Sequence, residues 1–82
     1  MKLVHVQWLD SESATGWTPV SEVEGVLELT HTVGLLLQES EHFIVIAHSY
    51  DPATESANGL ITIPRPTIEK MRTICRLKLT AK

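Results

Sequence analysis

The side chains that could do chemistry here are four histidines, one cysteine and a few carboxylates beside one loop. His5, His31, His42 and His48 lack the close spacing of a metal-ligand set. His42 and His48 are six residues apart, so they share one face of a strand but sit about 20 Å from each other at ~3.3 Å per residue. All four are read as surface or core histidines, with no metal and no cofactor. Cys75 alternates with apolar residues and is read as a small buried hydrophobe, because a nucleophilic thiol needs a base and an electropositive setting. Asp10, Glu12 and Glu22 lie in or beside the first loop, where solvated carboxylates are ordinary. With no phosphate-binding glycine loop and no Ser-His-Asp arrangement, the residues point away from an enzyme, and they identify no small-molecule substrate.

Charge is more informative. Residues 1–64 carry nine of the ten acids and only Lys2 among the bases, whereas residues 65–82 carry Arg65, Lys70, Arg72, Arg76, Lys78 and Lys82 against Glu69 alone. Clustered Lys and Arg are where nucleic-acid affinity begins, so Arg65, Lys70, Arg72, Arg76 and Lys78 are the candidate nucleic-acid contacts. The alternative is an edge strand that carries outward bases against aggregation and pairs with acidic strands in the fold or in a neighbouring copy.

The elements that must position these residues follow from periodicity. Leu3 to Asp10 alternates Val4, Val6 and Trp8 with His5 and Gln7, which predicts a strand. Asp10 to Gly16 is small and polar and predicts a loop. Thr18-Pro19 then opens a turn or two of helix to Val23, with Gly25 ending it and Trp17 packing back onto the core. Val26 to Thr32 leads into a central hairpin, Val33 to Tyr50, whose apolar arms flank the polar break Glu39-Ser40-Glu41-His42. Gly34 marks a bend in that strand.

Asp51 to Gly59 lacks large apolar residues and predicts an exposed connection ending in the turn Asn58-Gly59. Leu60 to Ile63 is a short strand stopped by Pro64-Arg65-Pro66, with a single helical turn over Pro64 to Ile68. Ile68 to Lys82 fits a helix that aligns Ile68, Met71 and Cys75. A strand from Met71 separates better, with Met71, Cys75, Leu77 and Leu79 opposed to Lys70, Arg72, Arg76 and Lys78. The strand is preferred, and Ile74 then falls on the basic face, available to a neighbouring subunit.

Eighty-two residues allow one domain, spanning 1–82, that buries about 60–65% of the surface its unfolded chain exposes, so an oligomer interface would add stability. The chain is 43% hydrophobic and 21% charged, and no stretch approaches the ~20 apolar residues of a membrane helix. The N-terminal residues do not form an export signal, and the lone cysteine suits a reducing compartment, so the expected location is the cytoplasm.

Several short strands without a long helix predict an all-β fold, a small barrel of five strongly bent strands with a short helix after the first. The run Gly59-Leu60-Ile61-Thr62-Ile63-Pro64 followed by Ile68 resembles the end of SH3-like barrels, where a strand meets a proline and a single helical turn before the closing strand. With Gly34 in the bent strand and Ile63-Pro64-Arg65 between the last two, the chain also resembles the Sm-like proteins of the Hfq type. Trp8-Leu9-Asp10, Gly16-Trp17 and Ile63-Pro64 are similar to small phage-encoded proteins, which would put the chain in a host cytoplasm.

The resemblance implies a non-enzymatic interaction module that self-associates, in a ring for the Sm-like case, by adding an edge strand of one copy to the next. It also implies two alternatives, an RNA- or DNA-binding Sm-like protein and a small phage regulator that binds a host protein. Proline-rich peptide binding needs an aromatic-lined groove, and only Trp8, Trp17, Phe43 and Tyr50 are aromatic. The acidic loop Glu39-Ser40-Glu41-His42 stands where an RNA site would be basic.

Overall fold

The computed structural model describes residues 1–11 and 16–80. Glu12, one of the loop carboxylates considered above, lies outside the described residues, as does Lys82. The chain forms five antiparallel strands, β1 (Lys2–Ser11), β2 (Leu27–Glu39), β3 (Phe43–Asp51), β4 (Ser56–Pro64) and β5 (Ile68–Arg76). Two single 3-10 turns, Val20–Glu22 and Arg65–Thr67, are the only helical pieces among the described residues. The strands form one sheet in the order β4-β3-β2-β1-β5. No helix among the described residues is long and apolar enough to cross a membrane.

The expected all-β class holds, and the barrel is corrected. The Pro64 ring removes a ladder donor at the end of β4, and the Arg65–Thr67 turn carries the chain across to the far side of β1. Strands β4 and β5 therefore end up on opposite edges, and the sheet is strongly bent without closing.

The bend comes from β2. Its first nine residues, Leu27 to Leu35, pair with β1, and its end, from Leu35 to Glu39, pairs with β3. At Gly34 the strand runs so close to β3 that an added Cβ would stand 2.4 Å from Ile46 Cγ2 and 2.7 Å from the Ala47 carbonyl oxygen. A bulge at Leu37 increases the coil. Because of this bend Val4, Val6 and Trp8 of β1 meet Ile44, Ile46 and Ile63 of β3 and β4, and Leu36, Ile61, Ile68 and Met71 pack around them. The Trp8 indole N–H, too deep to reach water freely, donates to Thr32 Oγ1 at 2.9 Å.

Three other expectations are revised. The helix of Thr18 to Val23 is a single exposed 3-10 turn with Pro19 at its cap and no side-chain capping bond, and Trp17 stands in solvent at 105% exposure. The connection from Asp51 to Gly59 is a hairpin. The turn is Pro52 to Glu55, Asp51 Oδ1 accepts from the Ala53 N–H, and β4 already runs at Ser56, with Asn58 and Gly59 inside it.

Strand β5 starts at Ile68, not Met71, and it carries an extra residue at Ile74. Met71 faces core Val6, but after the bulge Cys75 pairs with Leu3 on the other side of the pleat and is exposed. The same bulge accounts for Ile74. Leu77 and Leu79 lie beyond the strand, where the Leu77 N–H donates to the Met1 carbonyl at 2.7 Å.

The result is long, 59 × 25 × 20 Å with a radius of gyration of 16.3 Å. A compact chain of this length would have about 12 Å.

Candidate functional site

The open sheet ends in two edge strands, each nine residues long, and inside it β2 before Leu35 and β3 after Ala47 are also paired on one side only. Strand β4, Ser-Ala-Asn-Gly-Leu-Ile-Thr-Ile-Pro, has no charged side chain, and Leu60 on it is 61% exposed. Strand β5 presents Lys70, Arg72 and Arg76 with Glu69 as its one acid, and Ile74 on it is 43% exposed. Strand β4 is not the acidic partner that sequence reasoning expected for the basic strand. Among the described residues the carboxylates sit on β1 (Asp10), the β1–β2 segment (Glu22, Glu24), β2 (Glu28, Glu39), the β2–β3 loop (Glu41), the β3–β4 tip (Asp51, Glu55) and β5 itself (Glu69).

The five candidate basic residues do not share one surface. The Arg65 Nε donates to the Ser40 carbonyl at 2.9 Å, its Nη2 lies 3.6 Å from Glu39, and its backbone N–H donates to the His42 carbonyl. Arg65 thus holds the β2–β3 loop against the turn after β4. Lys70 lies opposite Gln7 and Arg72 opposite His5, on the outer face. Arg76 pairs with Lys2, three residues along β1 from His5 and so on the other face, and Lys78 follows the end of the strand.

Beside Lys70 and Arg72 the fold assembles a cluster that spacing in the chain had separated. Arg72 Nε donates to His5 Nδ1 at 3.2 Å, and His5 Nε2 lies 2.8 Å from His31 Nδ1, with the rings stacked at 5.1 Å. The guanidinium can only donate, so His5 Nδ1 is the acceptor and its proton sits on Nε2, pointing at His31. Desolvation in the stack, then the charge of Arg72, then His31 and Lys70, hold the His5 pKa below the ordinary value of 6.5. His31 pairs with Gln7, two residues from His5, so the signal was the register of β1 on β2, which histidine spacing does not report. Two imidazoles beside two cations make a poor metal site, and no group of three potential ligands gathers among the described residues.

A second feature is a cleft of about 390 Å³ at the end of the sheet where β1 finishes and β2 begins. Trp8, Leu9, Leu27, Pro64 and Pro66 give it apolar walls, and Asp10, Ser11, Thr62 and Thr67 give it acceptors. This size and mixture are typical of a pocket for a small or aromatic group. Comparison with protein-family models, with curated proteins and with solved structures finds no match to this chain.

Proposed function

We propose that this chain is a non-enzymatic interaction module of the SH3-like/Sm-like type that self-associates by edge-strand pairing, β4 of one copy on β5 of the next. The observation that supports this reading is the pair of nine-residue edges in a sheet that does not close. Each edge offers about 30 Å of unpaired backbone donors and acceptors at ~3.4 Å per residue. Charge disfavours the pairing of β5 with its own copy, since two β5 strands side by side would bring together Lys70, Arg72 and Arg76 against Glu69 alone, whereas β4 brings no charge to oppose them. A β4–β5 contact joins unlike surfaces, and such contacts build rings when the rotation closes and filaments when it does not.

Light scattering over a concentration series, on the natural chain and on Leu60→Lys and Ile74→Lys, tests this. Both side chains are exposed, so a lysine there burdens the edge and spares the core. The natural chain is expected to reach masses well above two chains of 9.1 kDa, and each variant to stop at two or fewer. A natural chain that never exceeds two copies, or variants that follow its mass, would overturn the reading. A short mixed-sequence RNA in the same runs reports on the nucleic-acid alternative through Lys70 and Arg72.

A further inference from the structure

We propose that the segment from Gly16 to Val26 is an exchange arm, and that Trp17 of one copy fills the Trp8 cleft of a second copy while receiving the second copy's indole in return. The inference goes beyond edge pairing and stands without it, because the cleft gathers side chains from the ends of β1 and β4, the start of β2 and the turn after β4, and needs no unpaired backbone group of either edge strand. The arm displays Trp17, Val20, Val23 and Val26, all exposed, on a segment whose single turn buries nothing. A fully exposed indole is uncommon, since aromatic side chains of this size are normally placed against something.

Three observations select a second copy as the occupant. The cleft suits the group in size and chemistry, because Trp8, Leu9 and the two prolines would face the ring while Asp10, Ser11, Thr62 and Thr67 offer acceptors for its N–H. Position comes next. The arm follows β1 and ends at β2, and Ser11 and Leu27, the last residue of β1 and the first of β2, both line the cleft. Arm and receptor therefore lie side by side at one end of the molecule, so a single two-fold axis there seats both arms at once and closes the assembly. The third is area. An indole of about 200 Å² and three valines of roughly 60 Å² or more, with the surfaces they cover, give about 1,400–1,600 Å² for two reciprocal arms. That passes the ~1,000 Å² a specific interface needs.

The test uses the Ile74→Lys chain, in which edge pairing is disabled, so its outcome is separate from that of the edge reading. Light scattering and acrylamide quenching are followed together over dilution. The expected result is a two-chain species in which the Trp17 emission, taken as the difference from Trp17→Ala, becomes less quenchable as concentration rises. Trp17→Ala and Thr62→Arg, both at exposed positions, each weaken the two-chain species by about thirtyfold, the effect of losing one interface hot spot. Mixing the two variants restores part of it, because the arm of Thr62→Arg finds the intact cleft of Trp17→Ala. A monomer at every concentration, a two-chain mass that Trp17→Ala leaves unchanged, or an indole shielded at every dilution by its own chain would each overturn the proposal. Circular dichroism of both variants verifies that they fold.

Discussion

Replacing Gly34 with alanine tests the bend on which the whole arrangement rests. The new methyl would lie 2.4 Å from Ile46 Cγ2 and 2.7 Å from the Ala47 carbonyl oxygen, against the 3.5–4.0 Å at which carbon atoms normally rest. Ile46 is buried in the core, and Ala47 belongs to the β3 backbone, which is paired on both sides. Neither can yield without shifting the sheet. Overpacking of this kind costs about 1–3 kcal/mol, and the entropy that alanine removes from the unfolded chain offsets about 0.4–1 kcal/mol.

A net loss of about 1–2 kcal/mol lowers the melting temperature by roughly 4–16 °C in a domain of this size. Gly25→Ala is the control, since nothing lies within 4 Å of its added Cβ and its φ is not positive. It should be neutral or slightly stabilising. Urea titration of both variants gives the comparison. If Gly34→Ala unfolds within about 0.5 kcal/mol of the natural chain, at unchanged slope, the close approach of β2 to β3 is wrong.

The histidine cluster makes stability depend on pH. The folded-state pKa of His5 lies below 6.5, so the unfolded chain takes up the proton first; the contribution is complete above pH 6.5 and declines as pH falls through 6.5 toward the folded value. Ring proton titration by NMR should place His5 below 6.5, and Arg72→Leu should move it upward; a His5 that titrates unchanged in that variant would contradict the Arg72–His5 contact. Cys75, exposed on the outer face of β5, should react with a disulfide reagent in the folded chain nearly as fast as in urea. Strong protection in the folded chain would put it back with Met71 and remove the bulge.

The parts of the fold that could be read from sequence are those where side chains, not backbone contacts, set the structure. Val4, Val6 and Trp8 alternate because one face of β1 is buried, and the apolar arms around Glu39 to His42 mark a hairpin because both strands cross the core. Pro64 and Pro66 interrupt the ladder for a reason visible in their covalent structure. Asp51 to Gly59 read as a loop because the paired residues there project beyond the core, so their composition is polar and only backbone bonds hold them. Bulges leave little trace in composition, and the one at Ile74 sent Cys75 to the face opposite Met71.

Trp17 read as a core residue because its hydrophobicity says only that it favours burial, not that this chain supplies the partner. The candidate bases were recognisable as a cluster in the sequence. Their dispersal among Arg65 on the hairpin loop, Lys70 and Arg72 on the outer face, and Arg76 opposite Lys2 depends on register, which charge counting does not encode.

The most direct measurement of the central claim is amide hydrogen exchange of the natural chain, residue by residue, over a concentration series. If β4 of one copy pairs with β5 of the next, the outward N–H groups of Ser56–Pro64 and Ile68–Arg76 become protected together as concentration rises, and Leu60→Lys abolishes the protection on both strands. Edge amides that exchange equally fast at every concentration would contradict the account.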